Sequence, residues 1–322
     1  MRATELVKDA SGAVAGVKAE SQLSGDAHEF KAKAVVLACG GFGSNVDMRV
    51  KYNADMDDKI LSTDSVGAQG DGLTMASAIG AELIDMQYIQ TYPTCDPETG
   101  ALLYVDDMRL ESRAIMVNKE GDRFVEELNR RDVLSNAIKS QTGGMGYMLW
   151  NQAAADETGL LKQHADEYDN LEKRGIIVKA DTLEEAAAHF EIDADELKKT
   201  VERWNQFAKD GKDADFNYRA DLFTIDAGPY YLNSYKPAVH YTMGGLHITT
   251  NAEVLDESDS RPVRRRRGGR PQDGHEPPRV VLHGRHLHLR PYRRRSGGQL
   301  RRIDGSDGPD GSLRRMTDDP TG

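Results

Sequence analysis

Lys33-Ala34-Val35-Val36-Leu37-Ala38-Cys39-Gly40-Gly41-Phe42-Gly43 is a short apolar run closing on three glycines. A continuous apolar run of this length, followed by glycines, reads as a buried strand entering a tight turn. Glycine carries no Cβ, so the backbone of that turn can come close to a ligand, although a plain tight turn is the competing reading. Upstream, residues 3–8, 14–20 and 27–31 alternate apolar and polar side chains between the turn signals Ser11-Gly12 and Ser24-Gly25-Asp26. They read as a small antiparallel hairpin or meander. Downstream, Gly70-Asp71-Gly72 opens a helix carrying Leu73, Met75, Ala76 and Ile79 and stopped at Gly80. Ile115-Met116-Val117-Asn118 reads as a strand running into a turn at Gly121. Asp193-Ala194-Asp195-Glu196 reads as a helix start, with Leu197, Val201, Trp204 and Phe207 on one face. Strands and helices are mixed without an internal repeat, so the class is α/β or α+β.

The 322 residues suffice for about two domains or one large one, and their formal net charge is −11. That total argues against a dedicated nucleic-acid binder. Two cysteines, Cys39 and Cys95, exclude a disulfide framework or a multi-cysteine metal centre. No apolar run reaches the roughly 18 residues of a membrane span, and the N-terminal residues do not read as a signal peptide. The sequence leaves localisation open.

The average charge conceals a break near Ser260. Residues 261–322 hold 16 arginines, 7 acidic residues and no lysine, whereas residues 1–260 carry a net charge of −20. Helical and strand periodicity are both lost after the break. Such a segment buries too little apolar surface to offset its ordering entropy, so disorder is expected over 258–322. An anion-binding role for the arginines is the reading that needs no enzyme. It would bind phosphates in a salt-dependent, sequence-blind way, and the segment lacks interleaved aromatics.

Four segments could carry chemistry, and each has a bland alternative. Ala38 to Gly43 is the glycine turn. Gly70-Asp71-Gly72 could present helix N–H groups to an anion, or be a simple cap. His240-Tyr241-Thr242-Met243-Gly244-Gly245 combines a titratable ring, a hydroxyl and paired glycines, although a lone histidine is usually structural. Arg130-Arg131-Asp132 follows Arg123-Phe124-Val125-Glu126-Glu127 and could equally be a solvated charged face.

Taken together and in this order, these stretches, with Ile89-Gln90-Thr91-Tyr92-Pro93-Thr94, resemble the soluble fumarate reductase flavoproteins and the related urocanate reductases. The resemblance covers about residues 1–257. It implies a partial Rossmann-like FAD-binding domain over 1–86 and 242–257, and an inserted α+β capping domain over 87–241. It assigns FAD contacts to Gly40, Gly41, Phe42, Gly70, Asp71, Gly72, Met243, Gly244 and Gly245. It implies hydride transfer from reduced flavin to an α,β-unsaturated carboxylate and a proton from Arg131. A nearby carboxylate should return that proton, expected at Asp107, or at Asp106 if the correspondence around Arg109 shifts by one. Tyr92, His240 and Thr242 fall at substrate-binding positions. Ketosteroid dehydrogenases share the FAD-domain motifs and are the second enzyme reading. The electron donor is not legible, and no haem Cys-x-x-Cys-His is present.

Fumarate reductases carry a histidine where this chain has Tyr92, and a glutamate at about Asp107. Tyrosine is a neutral partner, less suited to a second carboxylate. The Tyr and Asp combination resembles urocanate reductases, so the expected substrate is a urocanate-like or aryl acrylate, ahead of fumarate.

The resemblance also implies a Gly-x-Gly-x-x-Gly turn upstream of Met1. It implies a C-terminal stretch bearing a ribose-binding Glu and a substrate-clamping Arg. Neither occurs in this chain, so weak or absent FAD binding is expected of it alone. The arginine-rich segment can be encoded so that a one-base shift restores the family ending. Gly284 to Arg294 then reads Ala/Asp/Ile/Phe/Thr/Phe/Gly/Arg/Ile/Ala. Arg261 to Gly268 and Gly274 to Arg279 shift to Gly/Arg/Tyr/Ala/Ala/Gly/Glu and Gly/Thr/Asn/Arg/Leu. The nucleotide sequence after Glu257 is expected to spell these motifs in the +1 frame, and a frame that does not spell them ends the idea.

Overall fold

The computed structural model describes residues 1–258 and the backbone of 280–282. The expectations for the arginine-rich segment otherwise lie outside the described residues. Strands β1 (Arg2–Lys8), β2 (Val14–Glu20) and β3 (Ala27–Lys31) form the expected antiparallel meander. The apolar run that follows yields β4, which is only Val35–Leu37. Its partner is β12 (Val280–Leu282), running parallel. Between them in sequence come α1 (Val46–Tyr52), α2 (Asp71–Ala78) and β5 (Leu83–Ile84), which pairs with β11 (Gly245–Leu246).

The largest sheet is built from β6 (Ile89–Cys95), β7 (Ile115–Val117), β8 (Gly146–Asn151), β9 (Ile177–Ala180) and β10 (Tyr230–Thr242). Among the described residues its ladders are all antiparallel. The long strand β10 is central. Its first half pairs with β8 and β9, and its second half with β6. Helices α3 (Asp107–Leu110), α4 (Arg131–Lys139), α5 (Gln152–Thr158), α6 (Leu160–Gln163), α7 (Ala165–Lys173), α8 (Leu183–His189) and α9 (Ala194–Asp210) fill the same stretch of chain.

Strand alternation explains why this sheet can be covered on both sides. On β8, Met148 and Trp150 enter one core, with Leu134 and Ile138 of α4 and Leu171 of α7. Tyr147 and Leu149 enter the other, with Ala186 and Ala187 of α8 and Leu197, Val201 and Trp204 of α9. Helix α9 starts as its sequence suggests: the Asp193 side chain accepts the N–H groups of Asp195 and Glu196. A third core gathers Leu6, Val14, Leu37, Phe42, Leu73, Met75 and Leu246 from the meander, β4, the glycine turn, α2 and β11. At Gly244 an added Cβ would lie 2.5 Å from the backbone of Asp85 and Met86, so this joint admits only glycine. No described helix is long and apolar enough to cross a membrane.

Candidate active site

Tyr92 is the centre of the arrangement. It sits on β6, half-buried, opposite Ala238 of β10. Its hydroxyl donates to Asp106 Oδ2 at 2.7 Å. Asp106 is fully buried, in a single 3-10 turn (Tyr104–Asp106) that runs straight into α3. Arg109, one turn further on, grips the same carboxylate with Nε at 3.1 Å and Nη2 at 3.1 Å. Its Nη1 donates to the Glu127 carbonyl at 2.8 Å. Residues three apart on a helical turn share a face, which brings this pair together. Burial disfavours charge on Arg109, but Asp106 outweighs it, so the guanidinium is held protonated. Burial, with the Asp106 charge beside it, pushes the Tyr92 phenol well above its ordinary value, so it stays a neutral donor.

Arg131 begins α4, exposed, where the helix packs on β6. Its guanidinium carbon lies 4.7 Å from the Tyr92 ring centroid, a cation–π distance. Its Nη1 donates to Gln90 Oε1 at 2.9 Å. His240 presents its ring to Tyr92 edge-on, with centroids 5.4 Å apart. The β6–β10 register shifts between Val239 and Tyr241, so His240 falls at an irregularity that re-aims a side chain. Its Nδ1 is 2.9 Å from Thr63 Oγ1. With the threonine hydroxyl as donor, the ring proton sits on Nε2.

Burial first, and then Arg131, lower the His240 pKa below its usual 6.5. The folded protein therefore binds fewer protons at His240 than the unfolded chain once the pH drops below about 6.5. The stability held by its neutral form is present above 6.5 and is lost as pH falls towards the depressed value. An NMR titration is expected to place the His240 midpoint below the usual 6.5, and an equal or higher midpoint would contradict it.

Of the two acids that the sequence offers, Asp107 and Asp106, the structure sets Asp106 against Tyr92. Asp106 touches both Tyr92 and Arg109, whereas Asp107 lies near His164 and Glu111, its carboxyl raised chiefly by burial. The Phe42 ring is fully buried against Tyr52 in the third core, and its backbone lies at the turn. Thr242 is buried, and its hydroxyl accepts the Phe42 N–H at 3.4 Å, tying β10 to the glycine turn. Gly70 N–H donates to the Gly41 carbonyl at 3.1 Å, joining the two glycine segments. Gly72 lies within α2, Asp71 pairs with Arg2 at 2.7 Å, Met243 is exposed, and Gly245 lies in β11. Thr63 was not foreseen from the sequence. Its loop gives no motif, and only folding brings it to His240.

The residues near the glycine turn suit a dinucleotide. A cleft of about 730 Å³ is lined by Val35 to Cys39, Gly67, Gln69, Asp71 and Met75, at the carboxyl end of β4. That end of a parallel strand is where such ligands bind, and the volume falls in the usual range. Gly40 has φ +73° and nothing within 4 Å of where a Cβ would stand, so the turn leaves its backbone open to a ligand. The α2 N-terminus has no side-chain cap, so its N–H groups are free of one.

A family profile described as FAD binding domain matches residues 1–263. The chain is 64% identical over 262 residues to a urocanate reductase of Eggerthella lenta, which covers 81% of this chain and 43% of that protein. It is 36% identical over 255 residues to a fumarate reductase (cytochrome) of Shewanella frigidimarina, 79% of this chain and 43% of that one. The open conformation of a flavocytochrome c3 fumarate reductase superposes with a TM-score of 0.70 at 31% identity, over 88% of this chain and 45% of that chain. The chain thus spans less than half the length of these relatives. With a matched stretch that takes in the glycine turn, the cleft beside it and the whole Tyr92 cluster, the chain belongs to the FAD binding domain family.

Proposed function

We propose that this chain is the flavin- and substrate-handling part of an FAD-dependent reductase that saturates the C=C bond of an α,β-unsaturated carboxylate. The observation that carries the reading is the stack of Arg131 over Tyr92, with Asp106 and Arg109 behind the phenol. Reduced FAD, held by Gly40, Gly41 and the N-terminus of α2, would supply the hydride. The chain's own residues do the rest. Exposed Arg131 offers a guanidinium both to stabilise the developing enolate and to protonate the α-carbon. Arginine is a very weak acid, so it serves only because the carbanion is a strong base and the donor is fixed in place. Gln90 and the Tyr92 ring fix it. Asp106, charged against Arg109, is the carboxylate that returns the proton. His240, neutral with its proton on Nε2, donates to the substrate carboxylate.

Similarity to the Eggerthella lenta urocanate reductase, and Tyr92 beside Arg131 and His240, favour a substrate with one carboxylate and an imidazole or aryl group. Tyr92 already spends its hydroxyl on Asp106 and presents a ring face, which suits a flat ring better than a second carboxylate. The steroid dehydrogenase alternative accounts less well for an exposed guanidinium in the site, since a steroid ketone brings no anion. Reduced methyl viologen should be oxidised by the flavin-loaded full-length enzyme with urocanate at least several-fold faster than with fumarate. Oxidation by no enoate in a panel of urocanate, acrylate, aryl acrylates and fumarate would overturn the reading.

A further inference from the structure

The 3-10 turn that presents Asp106 is capped from outside its own segment. The first N–H groups of a helical turn have no internal partner. Here Leu103, at the cap position, offers no side-chain bond. Instead Glu167 of α7, more than sixty residues away, accepts Tyr104 N–H on Oε1 at 2.9 Å and Val105 N–H on Oε2 at 3.0 Å. Both oxygens of one carboxylate are used on the two residues before Asp106. The start of α7 adds a second hold: the His164 ring stacks on Tyr104 with centroids 4.5 Å apart and planes within 1°.

Resting on the function proposed above, we infer that Glu167 is a positioning residue for proton delivery. It holds the turn on which Asp106 and Arg109 depend, and through Tyr92 the seat of Arg131. A negative charge at the start of a helical turn is favourable as well as geometrically apt. The groups facing it are His164, just before its own helix, and Asp107, the first residue of α3. Burial raises its carboxyl, so it sits closer to protonation than an exposed glutamate. Protonation would remove charge from the cap without removing the residue.

Two readouts test this on Glu167→Ala and Glu167→Gln. In amide hydrogen exchange on this chain, Glu167→Ala should accelerate Tyr104, Val105 and Asp106 while β8 stays protected. Unchanged exchange there overturns the anchor whether or not any enoate is reduced. In the flavin-loaded enzyme, kcat should fall roughly 3- to 30-fold, the range that loss of a helix cap corresponds to. KM should stay within about twofold, and the solvent isotope effect on kcat should rise because proton delivery has become slower. Glu167→Gln, which keeps one acceptor oxygen, should lie between wild type and Glu167→Ala. A kcat loss matched by lost flavin content, with an unchanged isotope effect, means a merely structural role and overturns the proposal. A wild-type enzyme that reduces no enoate refutes the functional reading instead, and the exchange result still decides the anchor.

Discussion

Replacing Arg131 by glutamine is expected to lower kcat of the flavin-loaded enzyme by about 10²–10⁴-fold, the usual worth of a positioned general acid with its charge. Glutamine keeps a polar side chain but has no proton of the right kind to give and no positive charge. Arg131→Lys should recover little. Lysine offers a compact ammonium on a flexible stem, and it cannot lie flat on the Tyr92 ring while reaching Gln90. Because Arg131 is exposed and starts a helix that has no side-chain cap bond, neither change should cost much stability. Steady-state oxidation of reduced viologen with urocanate checks the first expectation and a melting curve checks the second. An Arg131→Gln enzyme within tenfold of wild type would remove Arg131 from the chemistry.

Arg123→Met is expected to cost about 3–5 kcal/mol of stability, the penalty for stranding a buried charge. Arg123 is buried between two carboxylates. It donates to Glu127 from Nε and Nη2, both at 2.8 Å, and to Asp213 at 3.1 and 3.3 Å. Its guanidinium also lies 4.4 Å from the Trp204 ring and 5.2 Å from that of Phe216. Burial pushes the Glu127 carboxyl up, while Arg123 and the Met116 N–H pull it back towards the charged form. With the guanidinium gone, Glu127 has no cation and must take up a proton or admit water. A thermal melt should fall by roughly 10 °C. Arg123→Met combined with Glu127→Leu should recover part of the loss, since it removes the Glu127 charge and leaves Asp213 as the one carboxylate of the cluster without the guanidinium. Full additivity of the two changes would show that the ion pair is not coupled. The effect should reach the site as well, because the Glu127 carbonyl holds Arg109, and Arg109 holds Asp106.

Local chemistry explains which parts of the molecule are readable from its residues. The meander is legible because side-chain alternation has a period of two and the turns carry glycine. Helix α9 is legible because Asp193 caps it and Gly211 ends it in a left-handed conformation. The strand after Lys33 is legible in kind but not in length. Its run is apolar over the six residues 34–39, and only Val35–Leu37 find a ladder partner. Arg131 and His240 are named by motif alone.

The choice between Asp106 and Asp107 is different in nature. Adjacent acids on one helical turn point about 100° apart, and nothing in composition or spacing says which of them faces β6. Packing decides it: Met108 is wholly buried on one side of the turn, so Asp106 and Arg109 face Tyr92 and Asp107 faces α7. Phe42 follows the same logic, a motif residue whose ring the core claims. Thr63 and Glu167 carry no local signal at all. Each acts on a group 177 or 62–63 positions away, and such contacts exist only once the sheet has closed. Sequence therefore determines the elements and the type of chemistry, because periodicity, caps and glycine turns are short-range. Tertiary structure alone decides which carboxylate, which hydroxyl and which anchor serve the site, because orientation is set by what each side chain is packed against.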